Sequence, residues 1–159
     1  MKKVTSVVIA GLGGQGVLKA SDILSDVAFR AGLAVKKSEI HGMSQRGGSV
    51  TSDVRFGREV FSPMVPEGEA DFLVSLAASE IEVNRAVLAP AGIVIGPDVV
   101  DESKLTNKKS LNVALLGALA RHLDLPEASW RAAILGNLPE KLHEANLHAF
   151  AVGRNGGKT

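Results

Sequence analysis

Runs of hydrophobic residues along the chain alternate between strand-like and helix-like spacing. The first run, Val4 to Ala10, is short and rich in β-branched residues, which favours a buried strand. A glycine-bearing stretch over 11–16 follows, and beyond it the apolar residues recur at helical spacing until Gly32, which is suited to end a helix. The pattern predicts a strand–turn–helix unit whose helical apolar face consists of Val17, Ala20, Ile23, Leu24, Val27 and Ala28.

The next segments predict five or six further strands. Leu33 to Lys37 is apolar enough for a second strand, and the polar run over 38–48 then predicts a loop. Apolar and polar residues alternate over 50–56, which is typical of a half-buried strand, and Gly57 is placed to turn into an antiparallel partner over 59–62. Residues 71–76 and 93–95 predict buried strands on either side of a helix over 79–88, and 99–100 predicts a short extra strand.

The last third of the chain predicts helices. An apolar stripe runs from Leu111 to Leu119, and a second helix carries Trp130, with Asp124 and Glu127 spaced as a capping box. A third helix is predicted from 139 through 150. The alternation of strands and helices predicts an α/β fold: a single Rossmann-like domain with a mostly parallel sheet, an antiparallel hairpin near Gly57 and a helical C-terminal third. We place this domain at 1–152 and a frayed tail at 153–159.

Composition narrows the function classes. A chain of 159 residues with 45% hydrophobic residues suits one globular domain, and a net charge of +1 argues against a dedicated nucleic-acid binder. No apolar run approaches the length of about 20 residues that a membrane-spanning helix needs. The chain shows no targeting signal, so we expect a cytoplasmic protein. Cysteine is absent, which excludes iron–sulfur clusters and thiolate-bound zinc on this chain.

The glycine turn over 11–16 is the most informative local motif. Its spacing fits G-x-G-x-x-G between a strand and a helix, where backbone N–H groups and the helix N-terminus favour an anion. Glu39 is a loose candidate for the acidic residue that binds a dinucleotide ribose in such folds. The turn could instead serve only close helix–strand packing. The candidate ligand or partner residues here are Gly11, Gly13, Gly14, Gln15 and Gly16.

A second candidate site is the polar loop between Ser38 and Ser49. Arg46 could clamp a carboxylate or phosphate with two hydrogen bonds, His41 could change charge near neutral pH, and the flexible apolar Met43 suits a protein interface. A loop whose polar groups satisfy only its own backbone is the alternative. The candidate ligand or partner residues are His41, Met43, Ser44, Gln45, Arg46, Gly47 and Gly48.

No catalytic residue and no metal-binding set can be assigned from the sequence. His143 and His148 flank a run that resembles a zinc-protease motif, but they are five residues apart. That spacing puts two imidazoles on different faces of a helix, so they are poorly placed to share a metal ion.

The two motifs together resemble one known family. The run G-L-G-G-Q-G at 11–16, the run S-E-I-H-G-M-S-Q-R-G-G-S at 38–49, the segment 68–71 and the segment 112–119 are similar to the gamma-type subunits or domains of 2-oxoacid:ferredoxin oxidoreductases. Within that family, the second run most resembles the beta subunit of indolepyruvate ferredoxin oxidoreductase. The likeness extends to Asn146 and so covers nearly the whole chain.

The resemblance implies a supporting role in an oxidoreductase. Enzymes of this family oxidatively decarboxylate 2-oxoacids, transfer the acyl group to coenzyme A and pass electrons to ferredoxin. Thiamine diphosphate, magnesium and the iron–sulfur clusters would then belong to a large partner subunit, and this chain would be inactive alone. A homodimer of the isolated chain, a free-standing NAD(P)-binding protein and a non-catalytic module that binds a nucleotide or a partner stay open as alternatives.

Overall fold

The computed structural model describes residues 4–41 and 48–156, with no description of the His41 side chain. Five strands form one sheet in the order β2-β3-β1-β4-β5. Strand β3 is antiparallel to both of its neighbours, whereas β1, β4 and β5 are mutually parallel, so every described strand except β3 points the same way. The strands are β1 (Val4–Leu12), β2 (Ala34–His41), β3 (Ser49–Gly57), β4 (Ala70–Ser75) and β5 (Leu88–Ile95).

The helices follow the predicted spacing closely. The apolar face predicted for the first helix is buried in full, and Gly32 adopts a φ of +85° just beyond the helix end. There the N–H of Gly32 donates to Phe29 O and the N–H of Leu33 to Ala28 O, which satisfies carbonyls at the end of the helix. The helices are α1 (Val17–Arg30), α2 (Ser79–Asn84), α3 (Leu111–Ala120), α4 (Glu127–Asn137) and α5 (His143–Arg154).

The main core lies between the sheet and the helices α1, α3, α4 and α5. Helix α3 is buried along nearly its whole length because it packs closely against α5. A Cβ at Gly117 would lie 2.2 Å from Phe150 O, and one at Gly153 would lie 1.8 Å from Ala114 O, so the two helix backbones touch. The other face of the sheet carries a smaller cluster: Val8, Ala10, Val65, Ala70 and Leu73.

Some local predictions are wrong, and the antiparallel hairpin is the most consequential. Residues 59–62 form no strand. The hairpin instead joins β2 to β3, with His41 paired with Val50. Strand β2 consequently extends four residues into the run predicted as a loop, because those residues gain a hydrogen-bonded partner in β3.

The other differences lie at element ends. Helix α4 begins after Pro126 and has no side-chain cap, so the capping box of Asp124 and Glu127 does not form. Residues 97–99 form a turn of 3₁₀ helix where a short strand was predicted to begin at 99. Helix α5 begins at His143 and continues to Arg154, so it starts and ends later than the helix predicted from 139 through 150. Within the described residues, no helix is both long and apolar enough to span a bilayer.

Candidate ligand and partner site

The two predicted site segments meet at one edge of the sheet. The glycine turn follows the carboxyl end of β1, and the connection from β2 to β3 leaves and re-enters the sheet at the same edge. The N–H of Gly13 donates to Gly48 O at 2.9 Å, which ties the turn to the end of that connection. The carboxyl edge is where open α/β sheets bind ligands, so both segments stand where a site is expected.

Gln15 holds the glycine turn across the gap between β1 and β4. Its Oε1 accepts from the N–H of Leu12 at 2.7 Å, and its Nε2 donates to Leu76 O at 3.3 Å. A Cβ at Gly11 would lie 3.0 Å from that Oε1 and 3.1 Å from Leu76 Cβ, so a side chain there would displace the bridge. Gln15 was predicted to contact a ligand or partner. In the structure its amide bonds the chain's own backbone, and its contact with a ligand or partner stays a prediction.

Asn112 supports the turn from helix α3, and it was not among the predicted site residues. Its Nδ2 donates to Gly16 O at 3.2 Å, while its Oδ1 accepts from the N–H of Val113 at 2.9 Å. Gly16 has a φ of +88°, and a Cβ there would lie 2.5 Å from Asn112 Nδ2. The available sequence signal is one amide side chain at the start of an otherwise apolar helix, which by itself does not identify the turn as its partner.

Two backbone N–H groups of the turn have no acceptor among the described residues. Gly13 and Gly14 are exposed, and Gly14 has a φ of +87° with no atom within 4 Å of where a Cβ would stand. None of the described residues accepts from the N–H of Gly14 or Gly16. Helix α1 starts at this point without a side-chain cap and without an acidic residue in its first turn. The arrangement can therefore receive a small anion or an acceptor group of a partner.

The crevice beyond β4, next to the glycine turn, is lined by acidic residues. A cavity of about 690 Å³ lies beside the ends of β4 and β5, and the residues that line it include Asp98, Asp101 and Glu102. These acidic residues make the cavity a poorer position for an anion than the glycine turn. Across the described residues, no group of three or more His, Cys, Asp or Glu side chains is arranged to hold a metal ion.

Glu39 does not occupy the position of a ribose-binding acid. Strand β3 lies between β1 and β2, so Glu39 is two strand spacings, about 10 Å, from β1. Its Oε1 is 3.2 Å from Lys37 Nζ, which also binds the Asp22 carboxylate of α1. Burial lowers the pKa of Lys37, but the hydrogen bonds and charges of both carboxylates outweigh it and raise the pKa above its ordinary value. The prediction for Glu39 is wrong. Glu39 therefore no longer supports the interpretation of the glycine turn as part of a dinucleotide-binding site.

The rest of the predicted loop stays a sequence-based prediction. Gly42, Met43, Ser44, Gln45, Arg46 and Gly47 lie outside the described residues, as does the side chain of His41. Only the backbone of His41 and the whole of Gly48 are described, and both lie at the carboxyl edge.

Comparisons with known proteins agree on one group of relatives. A family model described as pyruvate ferredoxin/flavodoxin oxidoreductase matches residues 6–104. Indolepyruvate oxidoreductase subunit IorB of Thermococcus kodakarensis is 32% identical, covering 96% of this chain and 96% of that protein. The subunit of the same name from Methanothermobacter thermautotrophicus is 31% identical, covering 93% of this chain and 95% of that protein.

Solved structures share the fold. The gamma subunit of a keto/oxoacid ferredoxin oxidoreductase from Geobacter sulfurreducens has a TM-score of 0.73 at 22% identity, covering 96% of this chain and 97% of that one. A 2-oxoglutarate:ferredoxin oxidoreductase from Magnetococcus marinus, with 2-oxoglutarate, coenzyme A and succinyl-CoA bound, has a TM-score of 0.80 at 20% identity. This chain matches 32% of that longer chain over its own full length.

Proposed function

Since this chain belongs to the pyruvate ferredoxin/flavodoxin oxidoreductase family, we propose that it is the small subunit of a 2-oxoacid:ferredoxin oxidoreductase whose substrate is indolepyruvate or a related arylpyruvate. The observation that carries the proposal is the identity of 32% with an indolepyruvate oxidoreductase subunit over 96% of both chains. Relatives named as subunits of pyruvate/ketoisovalerate and 2-oxoglutarate enzymes match at 28% and 26% identity, which favours the indolepyruvate type.

The residues of this chain do not fit the cofactors of such an enzyme. Iron–sulfur clusters are held by cysteine thiolates, and the chain contains no cysteine. Thiamine diphosphate binds through a divalent metal with oxygen ligands, and the described residues contain no group of three or more His, Cys, Asp or Glu side chains that could hold a metal ion. We therefore assign thiamine diphosphate, magnesium and the clusters to a large partner subunit, and we expect this chain to be inactive without it.

This chain would contribute binding and orientation. The bridge made by Gln15 and the contact between Asn112 and Gly16 hold the glycine turn in one conformation. The connection from β2 to β3, which carries Arg46, begins and ends at the same edge. These two segments are our candidates for contacts with coenzyme A or with the large subunit. Holding groups in a fixed geometry lowers the entropic cost of a reaction without supplying its chemistry.

Reconstitution tests the proposal. The chain and its large subunit are purified separately and assayed for reduction of a viologen dye with indolepyruvate and coenzyme A. We expect turnover only when the two are mixed, with saturation at a fixed stoichiometry. Turnover by this chain alone would refute the assignment of cofactors to the partner. Failure of the mixture to use any arylpyruvate, while it uses 2-oxoglutarate or pyruvate, would refute the proposed substrate class.

A further inference from the structure

The two edges of the sheet differ in how they are protected against pairing. Strand β5 carries Pro90, which cannot donate a backbone hydrogen bond, and its register against β4 shifts between Ala70 and Phe72. Strand β2 contains no proline and pairs with β3 in unbroken register over its eight residues. Within the described chain, β3 is its one hydrogen-bonded neighbour. The outer side of β2 therefore presents a regular row of backbone donors and acceptors.

The charges on β2 are complementary to a second copy of the same strand. Lys37 and Glu39 lie on the sheet face that contacts α1, because Lys37 binds Asp22 of that helix, and their side chains are 34% and 35% exposed. Two antiparallel copies related by a two-fold axis at Ser38 would place each Lys37 directly opposite the other copy's Glu39. Opposite charges at directly facing positions stabilise an antiparallel pair.

The contacts on the other face of the sheet also favour the register with the axis at Ser38. It places Lys36 opposite Ile40, whose side chain is large, apolar and 49% exposed, so the aliphatic stem of the lysine could cover it. Moving the axis by one residue, to Lys37, would set that lysine opposite its own copy, and like charges at facing positions repel. The charge pattern of β2 thus favours an axis at Ser38 over an axis at Lys37.

We propose that β2 is a self-association edge through which two copies of this chain form one continuous antiparallel sheet, with Ser38 on the two-fold axis. A symmetric pair of this kind uses the same surface twice, as most homodimers do. The inference concerns the chain by itself and does not depend on the proposed function.

A symmetric disulfide tests the register. Since the chain has no cysteine, Ser38→Cys introduces its only thiol. Facing residues in an antiparallel pair have Cα atoms about 4.5–5.5 Å apart, within the range that a disulfide spans. Ile40→Cys is the matched control, because Ile40 would stand four residues, about 13 Å, from its own copy. We expect Ser38→Cys to cross-link at least roughly tenfold faster under mild oxidation. Equal rates for the two variants would overturn the proposed register.

Reversing the charge of Lys37 or of Glu39 tests the interface in solution, and sedimentation equilibrium measures the dimer. We expect the unmodified chain to show a concentration-dependent dimer, and Glu39→Lys and Lys37→Glu each to be monomeric. Mixing the two variants should restore the dimer, because the mixed pair has opposite charges at both facing positions. Lys36→Glu, which makes the same charge change on the other face, should still dimerise. A monomeric unmodified chain would overturn the inference.

A variant that is monomeric because it is unfolded must be distinguished from a folded variant that does not dimerise. Lys37→Glu brings a third carboxylate beside Asp22 and Glu39, so it is compared with the unmodified chain by circular dichroism before sedimentation. If it is unfolded, the Lys37→Glu/Glu39→Lys double variant replaces it, and we expect that variant to form a homodimer of normal strength. A folded double variant that stays monomeric would contradict the interface.

Discussion

The amide of Asn112 and the backbone of Gly16 are in direct contact: Nδ2 donates to Gly16 O at 3.2 Å, and it stands 2.5 Å from where a Gly16 Cβ would be. The two residues are 96 positions apart in the chain. Through this contact the start of helix α3 determines the geometry of the turn after the first strand.

Gly16→Ala should destabilise the fold more than Gly14→Ala. Both glycines have a positive φ near +88°, so each substitution carries a backbone strain of about 1–2 kcal/mol. Only the Gly16 methyl group also collides with Asn112. We expect urea denaturation to show the larger loss for Gly16→Ala, and Asn112→Ala to reduce the difference between the two variants. Equal losses would mean that Asn112 moves aside at no cost.

Gln15→Met should loosen the connection between the ends of β1 and β4. Methionine has a similar length but leaves the N–H of Leu12 and the carbonyl of Leu76 without the partners that Gln15 supplies. We expect a loss of about 1–3 kcal/mol in the free energy of unfolding. Lys19→Met is the control, since its hydrogen bond to Asn137 O is exposed and should contribute little. Similar losses for both variants would remove the special role of Gln15.

Asp53→Asn should become more stabilising, relative to the unmodified protein, as the pH rises. Burial raises the pKa of Asp53, although its hydrogen bond from the Val65 N–H at 2.8 Å and the charge of Arg55 act in the other direction. The folded state then holds the proton more tightly than the unfolded state. The protonated Asp53 side chain therefore adds to the free energy of unfolding, and this contribution is lost as the pH rises from the ordinary pKa of aspartate through the raised pKa of Asp53. Asparagine keeps an acceptor for Val65 and carries no charge.

The measurement is the unfolding free energy of both proteins in urea between about pH 3 and pH 7. The exposed Glu67, changed to Gln, serves as the control for removal of a carboxylate. A difference between Asp53→Asn and the unmodified protein that does not vary with pH would contradict the cause assigned to the shift.

Arg46→Lys should weaken the use of coenzyme A or of the 2-oxoacid by the reconstituted enzyme. Lysine keeps the positive charge but loses the planar fork that binds a carboxylate or phosphate with two hydrogen bonds. We expect the KM for one of these substrates to rise roughly tenfold. The melting temperature should be unchanged, and Arg58→Lys should behave as the unmodified protein. Unaltered kinetics with a lower melting temperature would indicate a structural ion pair and remove Arg46 from the site.

The local pattern of apolar and polar residues was sufficient to predict much of the fold. The strand, glycine turn and helix at the start of the chain follow from residue spacing alone, because burial of one face imposes a period that differs between strands and helices. The predicted family is confirmed as well, since two motifs in order are more specific than either one. The site residues, Gln15 among them, stay predictions, although the structure also gives Gln15 a structural role.

Which strands are neighbours, by contrast, was decided only in the tertiary structure. The alternation in β3 shows that one of its faces is buried, but not that it lies between β1 and β2, and that placement relocated the hairpin and displaced Glu39 from the turn. The bridge from Gln15 to Leu76 and the contact of Asn112 with Gly16 were also outside the reach of the sequence. Periodicity records which face of an element is buried, whereas these contacts join positions 61 and 96 residues apart, and only packing brings them together.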